Sequence, residues 1–155
     1  MSDYRIVPMT IKHTAAVAEL EKLCFSDPWS EASVQSEVNN PLSCWLVAID
    51  DSQVIGYIGS QTAAGESDMM NLAVAPDYRG KGIGASLVNA LITELLKRGS
   101  SALFLEVRES NLPAIKLYEK LLFQKIGVRP NYYFHPRENA VIMRKELIDL
   151  ENSCN

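Results

Sequence analysis

The chain has 155 residues, of which 47% are hydrophobic and 22% charged, and a formal net charge of -4. That is the size and balance of one globular domain with a real core. It argues against a basic nucleic-acid-binding face, and no apolar run reaches the roughly 20 residues that a membrane-spanning helix needs. Mild acidity suits a cationic acceptor such as an amine or a basic peptide, and it also simply keeps a domain soluble. Cys24, Cys44 and Cys154 form no metal-ligand spacing and cannot all pair, as in a reduced cytoplasm. The N-terminus turns polar within a few residues, unlike a signal peptide.

Residues 4–7 can supply an edge strand. Thr10 is placed to cap a helix over residues 11–25, with Val17, Leu20, Leu23 and Cys24 on its buried side. Ser26-Asp27-Pro28-Trp29 breaks it, and Ser30 caps a short helix to about Val38 with Glu31 in its first turn. Residues 44–49 are a dense apolar run suited to a buried strand. After the turn Asp50-Asp51-Ser52, residues 54–61 return as a strand softened by Gly56 and Gly59. A second turn leads to a third strand over residues 69–74. A helix over residues 83–97 stops at Arg98-Gly99, a basic last turn and a glycine. A strand at 102–107 follows, then a helix from the Asn111 cap to about Leu121. Residues 123–128 read as a strand, 129–139 as a loop and 140–144 as the last strand. Residues 148–155 read as a loose tail after a domain spanning 1–147. An antiparallel meander thus feeds a βαβ unit, which requires an α/β domain with a mixed sheet. The strands flanking the helix at 83–97 should be parallel, with a right-handed crossover.

The most informative stretch is Asn71-Leu72-Ala73-Val74-Ala75-Pro76-Asp77-Tyr78-Arg79-Gly80-Lys81-Gly82-Ile83-Gly84, followed by Ala85. A strand runs into a loop of alternate glycines and then a helix. Glycine lets backbone N–H groups approach a ligand, and the helix N-terminus adds unpaired donors and partial positive charge. Together they make an anion cradle suited to a diphosphate. A phosphate-binding P-loop is excluded, because no Gly-Lys-Ser/Thr follows. Gly80-x-Gly82-x-x-Ala85 formally fits a dinucleotide turn, with Glu106 as the ribose acid. The five residues between strand and glycine, and the meander before them, count against it.

Glu106 stands in the apolar strand Phe104-Leu105-Glu106-Val107-Arg108. A carboxylate there is costly unless paired or used. Two readings are open: a general base, or a structural pair with Arg108, two residues on and on the same face. Tyr118 lies one helical turn beyond Ala114. It is either a proton donor or a core aromatic with its hydroxyl at the surface. Asn111 is a helix cap alone or a cap that also bonds a ligand. Phe25, Trp29, Tyr132, Tyr133 and Phe134 sit in two loops, and either pack those loops or wall a groove.

Arg79-x-x-Gly82-x-Gly84 resembles the acetyl-CoA pyrophosphate loop of the GNAT N-acetyltransferases. The run from Leu105-Glu106-Val107-Arg108 through Ser110-Asn111, Ala114-Ile115 and Leu117-Tyr118-Glu119 to Phe123 is similar to the ribosomal-protein alanine N-acetyltransferases within that family, as are Asn131-Tyr132-Tyr133 and Pro28-Trp29-Ser30. The resemblance covers about residues 3–147. It implies the GNAT fold, with six to seven strands and helices on both faces. It further implies Glu106 as proton acceptor and Tyr118 as donor to the CoA thiolate. Backbone at Leu72, Ala73 and Val74 would hold the acetyl and pantetheine portion. Arg79, Gly80, Lys81, Gly82, Ile83, Gly84 and Ala85 would hold the pyrophosphate, and Asn111 would touch the cofactor. The implied co-substrate is acetyl-CoA, with no metal. The implied acceptor is the N-terminal alanine of a basic protein of the small ribosomal subunit, in the cytoplasm, without direct nucleic-acid binding or a membrane. Phe25, Trp29, Tyr132 and Tyr133 would then line the acceptor groove. Lysine, a polyamine or another small amine remains an alternative acceptor, and a non-catalytic CoA-binding sensor an alternative role. Two departures stand out: Leu122 replaces the family's usual glycine, which leaves room for a different helix end, and Gly80 replaces a basic residue, with Lys81 retained.

Overall fold

The computed structural model describes residues 3–148, so the expected tail beyond Ile148, and Cys154 with it, lies outside the described residues. The strands are β1 (Tyr4–Pro8), β2 (Ser43–Asp50), β3 (Gln53–Ala63), β4 (Glu66–Val74), β5 (Ala102–Arg108), β6 (Gln124–Tyr133) and β7 (Glu138–Glu146). The helices are α1 (Thr14–Cys24), α2 (Glu31–Val38), α3 (Ile83–Lys97) and α4 (Leu112–Lys120). All seven strands join one mixed sheet in the order β1-β2-β3-β4-β5-β7-β6. Among the described residues only β4 and β5 pair in parallel, across the α3 crossover. On one face α1 and α2 bury Val17, Leu20 and Val34 against Trp45, Val47, Tyr57 and Ala73. On the other, α3 and α4 bury Leu87, Leu91, Leu95 and Tyr118 against Ile55, Leu103, Leu105 and Met143. Among the described residues no helix is long and apolar enough to cross a membrane.

Ser30 caps α2 as expected, accepting from the Ser33 N–H at 3.1 Å. The first helix departs from its sequence reading. A short 3-10 turn over Ile11–His13 precedes α1, and the Thr10 N–H donates to His13 Nδ1 at 3.0 Å. The helix therefore starts at Thr14, and its buried stripe is Thr14, Val17, Ala18, Leu20 and Glu21. Leu23, expected inside, is 65% exposed. A stripe starting at Thr14 continues three, four and seven residues on, so position 21 faces inward and position 23 does not.

Gly59 in β3 is required by close approach. A Cβ there would lie 2.3 Å from the Trp45 ring, which crosses directly above it. The last hairpin is also longer than its sequence reading. Residues 129–139, expected as a loop, instead extend β6 to Tyr133 and start β7 at Glu138. Pro130 and Asn131 look like loop residues, but they form a bulge where the register slips between Arg129 and Tyr133. Asn131 takes φ 53, and its N–H donates to Asn139 Oδ1 at 2.9 Å.

Leu122 does not alter the end of α4. It adopts the left-handed conformation itself, at φ 72, and is 73% exposed. Its N–H donates to the Glu119 carbonyl at 2.9 Å, and the Phe123 N–H donates to the Tyr118 carbonyl at 2.9 Å. Both bonds close the helix in the manner of a glycine stop. The strain costs about 1–2 kcal/mol, and a glycine would return part of that through its looser unfolded state. Leu122→Gly is therefore expected to stabilise the fold by about 1 kcal/mol, read as a rise of a few degrees in Tm. A fall in Tm would mean that the leucine side chain contributes packing which outweighs its strain.

Candidate active site

The site forms where β4 and β5 part. Their parallel pairing covers only Glu66, Ser67 and Asp68 opposite Ala102, Leu103 and Phe104. Opposite β3, Gly59 pairs with Asn71 and Ser60 with Met69, so Met70 is an extra, bulged residue. A bulge bends its strand, and beyond Asp68, among the described residues, β4 continues to Val74 with β3 as its only strand partner. The result is a wedge-shaped cleft between β4 and β5. The Ala75 N–H donates to the Ile55 carbonyl at 2.8 Å. Antiparallel alternation then aims the Ala73 backbone at β3, and the backbone of Leu72 and Val74 into the cleft. An extended ligand could pair with that edge as a strand would.

The glycine loop closes the same end. Gly80 and Gly82 have φ 77 and 82, and a Cβ at either would meet nothing within 4 Å. Gly82 is the N-cap of α3 and gives it no side-chain cap, so the first amides of the helix face outward unbonded by a cap. Gly84 lies against Val74 and α4: its Cβ would be 3.5 Å from Leu117 and 4.0 Å from Val74. These open amides fit a diphosphate. Ile83 is buried beneath the loop, while Lys81 sits above the Tyr78 ring at 5.3 Å. Arg79 is used locally. Its Nε donates to the Val74 carbonyl at 3.0 Å, and its Nη2 contacts Cys24 Sγ at 3.4 Å. It thereby ties the loop to the end of α1. Asn111 caps α4, its Oδ1 accepting from the Ala114 N–H at 3.3 Å.

Tyr118 and Glu106 approach the cleft from opposite faces of the sheet. Tyr118 is buried among the residues packed by α3 and α4, edge-on to Phe123. Its hydroxyl is not at the surface: it lies 3.8 Å from Met69 Sδ, beside the bulge where the cleft begins. Burial pushes its pKa up from the ordinary tyrosine value, so it stays a proton donor at neutral pH. Glu106 points to the other face, with its side chain 26% exposed. Its ionic partner is Arg129, with Nε 3.5 Å from Oε1. The expected alternative, a pair with Arg108, is not what forms. Arg108 donates to Glu138 at 3.2 Å and to the carbonyls of Phe134 and Pro136, and stacks 4.5 Å above Tyr133. The chain returning in β6 and β7 competes successfully for it. Asp68 also faces Glu106, and burial first, then the Glu106 charge, raises its pKa.

The four aromatic residues expected to line a groove come from two separate parts of the fold, and of these Tyr132 and Tyr133 interact with Glu106. Phe25 and Trp29 pack on the α1–α2 side, with Trp29 5.3 Å from Trp45. Tyr132 and Tyr133 meet edge to face at 5.0 Å in the β6 bulge. Interaction with Glu106, followed by burial, raises the Tyr132 pKa. Burial first, then the Tyr132 and Glu106 side chains, pushes Tyr133 up to about 12. The segments after α1 and after β6 meet where His135 Nδ1 lies 3.2 Å from Asp27 Oδ1. A separate cavity of about 400 Å³, lined by Met9, Glu37, Trp45 and Arg98, opens elsewhere and includes neither Glu106 nor Tyr118.

One residue of this neighbourhood escaped the sequence reading. Glu21 is fully buried at the end of α1 and bonds to Trp29, Tyr57 and Asn71. The Thr14, Val17, Ala18, Glu21 spacing carried the signal, since it puts a carboxyl group on the buried stripe.

Comparison with known proteins supports the same chemistry. A ribosomal protein bS18-alanine N-acetyltransferase of Haemophilus influenzae is 40% identical over 130 residues, covering 81% of this chain and 86% of the relative. The crystal structure of the Escherichia coli ribosomal-protein alanine N-acetyltransferase superposes with a TM-score of 0.87 at 33% identity, covering 95% of this chain and 96% of that one. Arabidopsis thaliana NAA60, solved in complex with acetyl-CoA, shares the fold with a TM-score of 0.86 at 16% identity, covering 94% of this chain and 99% of that one. The acetyltransferase (GNAT) family model matches residues 14–123, and the chain belongs to that family.

Proposed function

We propose that this chain transfers the acetyl group of acetyl-CoA to the α-amino group of an N-terminal alanine, and that its acceptor is ribosomal protein bS18. The observation that carries the acceptor is the 40% identity to an enzyme named for that substrate. Acetyl-CoA supplies an activated acyl group as a thioester. The backbone of Leu72 and Val74 orients its pantetheine arm along the open edge of β4. The amides of Gly80, Lys81, Gly82, Ile83, Gly84 and Ala85 hold the diphosphate, with Arg79 fixing the loop and Asn111, the α4 cap, touching the cofactor.

Glu106 takes a proton from the acceptor ammonium, directly or through water, so that nitrogen can attack. An α-ammonium has a pKa of about 8, low enough for this at neutral pH. As the carbon–sulfur bond breaks, the Tyr118 hydroxyl gives its proton to sulfur. Of the two protons that nitrogen loses, one ends on the thiol and the other reaches solvent. Phe25 and Trp29 on one side, and Tyr132 and Tyr133 on the other, exclude water and orient the peptide. The opposed faces of Glu106 and Tyr118 support this division: amine enters from one side and the leaving sulfur lies toward the other.

A thiol-release assay with three acceptors tests the reading. An alanine-terminated peptide of the bS18 start should react. Spermidine and an N-terminally blocked peptide with a free lysine should not. Preference for either of those would move the acceptor to a small amine or a lysine. Thiol release with none of the three would remove the alanine assignment.

Binding of the co-substrate is tested separately. Gly82→Val puts a β-branched side chain at φ 82, where only glycine is unstrained. The loop should reorganise and CoA affinity should fall at least about tenfold by calorimetry. NAD should not bind either protein. Tight NAD binding without CoA binding would overturn the assignment of the loop.

A further inference from the structure

Glu21 is 0% exposed, and among the described residues its partners are neutral donors. The Trp29 backbone N–H donates to its Oε1 at 2.9 Å. Asn71 Nδ2 donates to Oε1 at 3.1 Å and to Oε2 at 2.9 Å. The Tyr57 hydroxyl donates to Oε2. Burial, then the adjacent Glu21, raises the Tyr57 pKa, which keeps that hydroxyl a donor. A leucine at this place on the stripe would satisfy packing without the cost of burying a carboxyl group. The bonds instead join four segments: the end of α1, the loop carrying Phe25 and Trp29, β3 at Tyr57, and β4 at the residue after the Met70 bulge.

We propose that Glu21 is a positioning residue that locks the Trp29 side of the acceptor groove to the bulged strand. It touches neither acceptor nor co-substrate. It sets the spacing between the Trp29 wall and the cleft, and so governs capture of the peptide rather than the chemical step. This rests on the acceptor groove proposed above.

Glu21→Met removes the acceptor oxygens at nearly constant length. The alanine-peptide KM should rise roughly tenfold as the Trp29 wall loses its tie to β4. The turnover number and CoA affinity should stay near wild type. Hydrogen exchange at the Trp29 amide should quicken. Tyr57→Phe is the matched control. It removes a bond to the same carboxyl group and lowers stability, but leaves Trp29 and Asn71 held, so KM and Trp29 exchange should not move. If Glu21→Met does not fold, Asn71→Ala cuts the β4 end of the same tie and should raise KM likewise. An unchanged KM with wild-type Trp29 exchange would overturn the proposal. So would an equal rise in Tyr57→Phe, because loss of stability alone would then explain it. A wild-type chain inactive on the alanine peptide would contradict the acceptor assignment, and Trp29 exchange would still decide for or against the tie.

Discussion

Replacing Glu106 with glutamine is expected to lower turnover on the order of 10²–10⁴-fold, the usual loss when a general base is removed. The substitution keeps volume and one acceptor oxygen and removes only the charge. Its structural cost should be small. The ion pair it breaks is with Arg129, whose side chain is 57% exposed, and exposed pairs contribute about 0–1 kcal/mol. Activity loss therefore cannot be assigned to unfolding, and thermal melting on the same preparation checks this. Arg129→Gln is a useful companion: if the pair is only structural, both variants should behave alike. A Glu106→Gln variant with wild-type turnover would leave the proton to another group or to bulk water.

Tyr118→Phe should show the second large effect. Turnover should fall at least about 10²-fold under single-turnover conditions, while CoA affinity changes little. The ring keeps its edge-on contact with Phe123. Among the described residues the lost hydroxyl's hydrogen-bond partner is the Met69 sulfur, 3.8 Å away, which is a weak acceptor. Stability should consequently be near wild type. Burial raises the Tyr118 pKa above its usual value of about 10. In the wild-type enzyme the hydroxyl thus stays protonated through the neutral and mildly alkaline range, and any alkaline limb there should survive the substitution. Unchanged turnover in the variant would assign Tyr118 to packing alone.

The elements whose local chemistry decided them were legible in the sequence. Ser30 announced α2, Asn111 announced α4, and Arg98-Gly99 marked the end of α3. The alternating β5 pattern correctly separated Leu105 and Val107 from Glu106. What the sequence hid depended on distant partners. Pro130 and Asn131 read as loop because the β7 pairing that makes them a bulge lies elsewhere in the chain. Spacing offered Arg108 to Glu106, but Arg129 and Glu138, both distant in sequence, redistributed those pairs. Glu21 was not singled out in the sequence, and its three donors come from distant positions 29, 57 and 71. Leu122 shows the reverse: the sequence correctly marked a strained position, but the bonds at the end of α4 were worth more than the strain. The wedge itself had no local signal, because a single bulged Met70 opposite two paired residues of β3 creates it.

The most direct measurement is made on whole, unacetylated bS18 incubated with this chain and acetyl-CoA. Intact mass counts the acetyl groups, and fragmentation of the N-terminal peptide locates them. One acetyl group on the α-nitrogen of the first alanine, absent when Glu106→Gln replaces the wild-type chain, is the expected result. Acetyl groups on lysine side chains with a free N-terminus, or bS18 left unmodified by a chain that binds CoA, would contradict N-terminal alanine acetylation as its function.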